Sequence, residues 1–145
     1  MIACIYTNQE RKITMREEGA FELYDKFGQA FVEDVRDGAL SLAANIVKGT
    51  TNNKVDLSYY ECFSELSEEQ KEKICDLISE TVTDTIFRFL KMFEEKEDEM
   101  KLELISGDES IDILDACDDI GAEITFTDED GWIPRFSDIG MLVER

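Results

Sequence analysis

The residues best suited to chemistry gather in one stretch, TFTDEDGWIPRFSDIG, at positions 125–140. It holds the only tryptophan, Trp132, the only proline, Pro134, and three consecutive acids, Asp128, Glu129 and Asp130. Acids running into a glycine suggest a calcium loop, but the spacing is wrong for an EF-hand. With Gly131 at loop position six, positions one and twelve fall on Phe126 and Ser137, and neither offers a carboxylate. A turn fits better. Asp130-Gly131 is a turn pair, because glycine reaches positive φ without a Cβ clash. Trp132, Ile133 and Phe136 would then return to the core, with the indole as a packing anchor. Pro134 is expected to keep Arg135 out of a regular helix or a central strand. Arg135 itself is expected to ion-pair with the acids near it in sequence. Its alternative use is as an anion or ligand anchor, with Trp132, in a cleft.

Other constellations are weaker. Glu80 and Asp84 lie four apart on a helical stretch, hence on one face, where paired carboxylates can move protons or hold a metal. A solvated helix surface is the better account of them. Adjacent Arg36 and Asp37 are placed to ion-pair across helices. Histidine is absent, which excludes Ser-His-Asp and Cys-His mechanisms and the helical E-x-x-H sites of di-iron bundles. Four cysteines, Cys4, Cys62, Cys75 and Cys117, are widely spaced, with no cation cluster to activate a thiolate. No phosphate-cradling glycine loop is present. The residues therefore name no catalytic group, no metal site and no cofactor.

The elements that must position these residues follow from periodicity. Ile2, Cys4 and Tyr6 alternate like a short strand, followed by a polar arm. Phe21, Tyr24, Phe27, Phe31, Val35, Leu42 and Ile46, with Ala39 and Ala43, mark a helix from about 20 to 48. Gly28 and Gly38 lie inside it, to admit a close approach or to mark a bend, and Gly49 can cap its end. Positions 57–66 read as a short helix with an aromatic side. Ser67-Glu68-Glu69-Gln70 is a capping-box pattern. It opens the clearest stripe: Ile74, Leu77, Ile78, Val82, Ile86, Phe89, Leu90 and Phe93, a helix over 68–95. Residues 101–105 alternate as a strand, 106–108 form a turn, and 111–117 read as a brief amphipathic piece. Ile124-Thr125-Phe126 reads as a second strand. The expected fold is α+β and helix-dominated: two long packed helices with a small antiparallel sheet of two or three strands, in a single domain over 1–145.

Charge narrows the partners. The net charge is -20, and it is uneven. Residues 1–56 carry seven Lys/Arg and nine Asp/Glu, whereas residues 57–145 carry eight and 26. Such a surface repels nucleic acid and anionic membranes and attracts basic proteins. No apolar run is long enough to span a bilayer. The start lacks the basic region and apolar run of a signal peptide, so a cytoplasmic setting with reduced thiols is expected.

Four motifs carry a resemblance: V-R-D-G-A (Val35 to Ala39), Lys48-Gly49, L-S-E-E-Q (Leu66 to Gln70) and D-G-W-I-P-R-F-S (Asp130 to Ser137). Together they resemble a family of small bacterial proteins without assigned biochemistry, over positions 30–137. The resemblance implies a cytoplasmic, helix-rich, immunity-protein-like chain and brings no catalytic residues. Histidines associated with the second long helix of that family are lacking here.

The expected function is non-enzymatic: an acidic interaction protein that binds and neutralises a basic partner, such as a toxin or nuclease. Candidate contacts are Asp118, Asp119, Asp128, Glu129 and Asp130, with Tyr59 and Tyr60. Two alternatives stand beside it. One is a small-molecule binder or carboxylate enzyme with a cleft at Trp132 and Arg135. The other is a homo-oligomeric module, a homodimer in the simplest case, whose apolar helix face is covered by a second copy.

Overall fold

The computed structural model describes residues 19, 21–117, 119–125 and 129–139. The strand expected at Ile2, Cys4 and Tyr6 lies outside them, as do Asp118, Phe126 and Asp128.

The first long helix is continuous from residue 21 to Lys48 but is not α throughout. Helix α1 (residues 21–30) passes into a π-helical stretch, Phe31–Asp37, and then into α2, Gly38–Lys48. Tyr24, Gly28, Val32, Arg36 and Leu40 are buried at intervals of four. In a 3.6-residue helix such a row drifts by about 40° per step. The wider π turn takes up that drift and keeps the row facing inward. The expected stripe is therefore displaced: Phe21, Val35 and Leu42 are 54%, 48% and 54% exposed. Gly49 ends α2 at φ 70, and the Tyr60 ring occupies the space a Cβ would need.

Helix α3, Lys54–Tyr60, is shorter than expected and is followed by turns over 61–65, so the aromatic side does not continue to Leu66. Ser67 then caps α4, Glu68–Glu95. The Gln70 amide donates to Ser67 Oγ at 3.2 Å, and the Ser67 amide donates to Gln70 Oε1 at 2.9 Å. Twenty-eight residues make α4 about 42 Å long. It packs along α2 and the π stretch.

Strands β1, Glu103–Ser106, and β2, Glu109–Asp112, form an antiparallel hairpin that pairs Leu104 with Ile111. Gly107 turns it at φ 60. Positions 109–112 thus belong to a strand, and the expected amphipathic piece shrinks to one turn, α5, Ile113–Ala116. The strand expected at 124–126 is absent from the described residues: Ala122–Ile124 is a single 3-10 turn. The last element, α6, spans Trp132–Phe136. Pro134 sits inside this short helix, contrary to expectation. In the first turn no amide has an intrahelical acceptor, so the missing N–H loses nothing there.

The architecture is a helix-dominated α+β fold, with a long packed helix pair and a two-strand antiparallel sheet. The main core sits at one end. Tyr24 and Val32 meet Ile86, Leu90 and Phe93 of α4 there, with Leu104, Ile113, Ile120, Ile124, Trp132 and Ile133. At the other end α2 buries only Leu40 and Val47, α3 buries nothing, and α4 turns Lys71, Cys75 and Ser79 inward. No helix among the described residues is long and apolar enough to cross a membrane.

Candidate functional site

The segment 129–139 is stapled to the first helix at three points. Trp132 is fully buried, its indole lying on Gly28, where a Cβ would come closer than 3.0 Å to three ring atoms. Tyr24 and Phe27 flank it at ring separations of 4.9 and 5.6 Å. The indole Nε1 is buried without a hydrogen-bond partner among the described residues. Arg135 grips Asp25 of α1 with both terminal nitrogens, Nη1 to Oδ1 at 2.9 Å and Nη2 to Oδ2, and lies over the Phe136 ring. Its ion-pair partner is thus 110 residues away in sequence rather than adjacent.

The third staple was legible only as a charged dyad. Arg36 and Asp37 pair with each other, Nη1 to Oδ1 at 2.7 Å, with the Arg36 side chain 0% exposed. Arg36 Nε donates to Thr83 Oγ1 of α4 at 3.3 Å, and its Nη1 to Ser137 Oγ at 3.2 Å. The Ser137 hydroxyl donates to Asp37 Oδ2 at 2.8 Å, and the Asp138 amide to the same oxygen at 3.1 Å. A wide π turn separates successive side chains by a smaller angle than an α turn, so neighbours 36 and 37 can both face inward. Burial pulls the Arg36 guanidinium down from its ordinary pKa, and Asp37 opposes that.

Tyr24, 1% exposed, donates to Glu123 Oε1 at 3.0 Å. Burial above all, then Cys117 and Glu123, raises its phenol well above the ordinary value of 10.0. An unfolded tyrosine ionises near pH 10, while the folded one keeps its proton. The phenol's contribution is therefore complete below pH 10 and is lost as pH rises further. We expect unfolding free energy to fall with a slope approaching 1.4 kcal/mol per pH unit between about pH 10 and 11. Urea melts at stepped pH check this; Tyr24→Phe should flatten the slope, and an unaltered slope would refute the assignment.

The other candidate residues are dispersed. Asp119 is exposed and pairs with Lys91 at 3.2 Å, near the C-terminal end of α4. Glu129 and Asp130 are exposed in the turn before α6. Tyr59 is 58% exposed, but Tyr60 packs on Gly49 and beneath the Lys71 ammonium, beside the start of α4. Lys71 and Lys91 are 20 residues apart on one helix, about 30 Å. The tyrosines and Asp119 therefore belong to opposite ends of the molecule. Glu80 and Asp84 are both exposed on α4, and Asp84 holds exposed Arg88 at 2.7 Å. Among the described residues Trp132 is enclosed and Arg135 is bound to Asp25.

A concave site lies elsewhere. A groove of about 530 Å³ runs between the C-terminal end of α4 and the hairpin, lined by Glu94, Glu97, Asp98, Lys101, Asp112, Leu114 and Asp115. Five carboxylates face one ammonium. Lys101 is held by Glu103 at 2.9 Å and reaches Asp112 at 3.9 Å. Its pKa is raised first by the Glu103 hydrogen bond. Glu94, the innermost acid, accepts from Lys91 and from the Gly121 amide at 2.9 Å, which fixes one wall. Among the described residues no group of three His, Cys, Asp or Glu side chains converges to hold a metal ion. Acids distributed along a groove in this way suit several separated positive charges. In the sequence, Glu94 to Glu99 is only a charged run at the end of a helix. The fold of the hairpin back onto that end is what makes a groove of it.

Comparison with known protein families, with curated proteins and with solved structures gave no match. The resemblance to the small bacterial family thus rests on the four motifs alone.

Proposed function

We propose that the protein is a non-enzymatic interaction module that binds and neutralises a basic protein, in the manner of an immunity protein or nuclease inhibitor. The groove at the C-terminal end of α4 receives a Lys/Arg-rich segment of that partner. The observation that carries this reading is the groove itself: five carboxylates against one lysine already engaged by Glu103. It lies in the part of the chain, residues 57–145, that holds 26 of the 35 acids. Such a field speeds encounter with a cationic surface and repels nucleic acid and anionic lipid. Asp119, Glu129 and Asp130 add to it from the same half of the chain. The free thiols Cys62, Cys75 and Cys117 support a reducing, cytoplasmic setting.

The test uses a fluorescent Lys/Arg-rich peptide and stopped-flow mixing at low salt. Glu97→Lys, Asp98→Lys and Asp115→Lys together should slow association about tenfold or more and flatten its salt dependence. A control with the same change in net charge, Glu65→Lys, Glu69→Lys and Glu80→Lys, should have a much smaller effect. Equal slowing by both triples would mean that net charge acts alone, and the groove would lose its role.

A further inference from the structure

Strand β1 has an open edge. The register of the hairpin pairs Glu103 with Asp112, Leu104 with Ile111, Ile105 with Ser110 and Ser106 with Glu109. Just before β1, the Ile113 amide donates to the Leu102 carbonyl at 2.9 Å. In an antiparallel ladder, hydrogen-bonded pairs alternate with pairs whose amides and carbonyls point outward. Leu102, Leu104 and Ser106 therefore bond across the hairpin, while the N–H and C=O groups of Glu103 and Ile105 point away from β2. Among the described residues no other strand pairs with them. The outward edge of β2 is shorter. Asp112 already caps α5, its Oδ1 accepting from the Leu114 amide at 3.2 Å, which leaves Ser110.

Side chains along the hairpin alternate between two faces. Leu104 is buried and Ile111 packs with it against the core. Glu103, Ile105, Ser110 and Asp112 share the other face, where Ile105 is 70% exposed. Lys101 lies over that face, 2.9 Å from Glu103 and 3.9 Å from Asp112. Lys101 and Asp112 also line the acidic groove, so the edge of β1 leads into it.

We propose that β1 binds the basic partner by strand addition: an extended segment of that partner pairs with Glu103 and Ile105 and continues into the groove. An unpaired strand edge is a template for another chain. Main-chain hydrogen bonds supply affinity there, and alternate side chains supply selection. Charge selects the occupant. From residue 102 to residue 134 the chain has no Lys or Arg. A second copy laid along the edge would bring Glu103 and the groove acids of both chains together, in a protein of net charge -20. A basic strand instead sets its cations beside Glu103 and Asp112, and an apolar residue two positions along covers Ile105. Strand addition rests on the protein being a binder of a basic partner, as proposed above, and specifies the conformation of the bound segment.

The probe is the fluorescent peptide Lys-Thr-Arg-Thr-Val-Thr-Arg-Thr-Lys, mixed with the full chain at low salt. Saturating peptide should slow amide hydrogen exchange at Glu103 and Ile105 about tenfold or more. N-methylation of one alternate set of peptide amides, Arg and Val or else Thr, should weaken binding about tenfold or more, and N-methylation of the other set should leave it unchanged. Both measurements use the unaltered protein. Ile105→Pro removes an outward N–H that the hairpin does not use, so it should keep the fold and lose the same affinity. Ser110→Pro, on the edge of β2, should bind as the parent does. No binding up to about 1 mM peptide, unprotected amides at Glu103 and Ile105, or equal effects of the two N-methylated sets would each overturn strand addition. So would parent-like binding by Ile105→Pro, or equal loss with Ser110→Pro. The two proposals fail separately. Unprotected amides with association still slowed by the groove triple alone would overturn strand addition and leave the groove its role. Protected amides with equal slowing by both charge triples would do the reverse.

Discussion

Asp37→Ala should destabilise the protein by about 3–5 kcal/mol and lower its melting temperature by roughly 10 °C. The substitution does more than remove a bond. Arg36 is 0% exposed and its Nη1 lies 2.7 Å from Asp37, so its charge would stay buried and lose this carboxylate. The Ser137 hydroxyl and the Asp138 amide would lose their acceptor at the same time. A buried pair broken on one side costs far more than the pair contributes when intact. Replacing both residues, Arg36→Met with Asp37→Leu, should therefore cost much less than Asp37→Ala alone. Urea denaturation of the two single variants and the double variant measures this coupling. Loosening should also be local: trypsin should cut after Arg135 faster in Asp37→Ala, because residues 137 and 138 are no longer tied to the first helix. A single-variant cost below about 1 kcal/mol, or simple additivity in the double, would show that the dyad is no clamp.

The fold was legible wherever local chemistry and burial agree. Ser67 and Gln70 announce the start of α4 by their side chains alone, and Ile86, Leu90 and Phe93 lie on the face that the core uses. Legibility failed where the backbone left the α geometry. The apolar spacing of 21–46 assumes 3.6 residues per turn, and the π stretch Phe31–Asp37 rotates Val35 outward while carrying Arg36 and Asp37 in. Propensity also misleads in short elements. Ile124 is buried in a 3-10 turn rather than a strand, because Gly121 must lie against Phe87 and bond Glu94.

The candidate groove was less legible than the fold. Its acids come from three segments, residues 94–98, 112 and 115, and each reads as ordinary solvated surface by itself. Only the return of the hairpin to the end of α4 brings Asp112 opposite Glu97 and Asp98. The acidic excess of residues 57–145 was visible at once, but a sum of charges does not say which acids share a concavity.

Gly28→Ala should cost about 2–3 kcal/mol, and here the usual sign for a helical glycine is reversed. At an unobstructed helix position alanine gains up to about 1 kcal/mol over glycine. Gly38 offers that comparison in the same helix: a Cβ there would meet only the Glu33 carbonyl, at 3.9 Å, so Gly38→Ala should stabilise. At Gly28 the new methyl would enter the Trp132 indole, at less than 3.0 Å from three of its atoms. The ring has little room to retreat, because Tyr24 and Phe27 lie against it and its relative exposure is 0%. Displacing it would also drag Arg135 from Asp25, since both sit on the single short helix α6. Trp132→Phe in the Gly28→Ala background should recover part of the loss: the smaller ring leaves space for the methyl and removes the indole N–H that has no partner among the described residues. The recovery distinguishes a steric notch from a general intolerance of α1. If Gly28→Ala gained stability as Gly38→Ala does, or if Trp132→Phe deepened the loss additively, the indole would not be seated on this glycine.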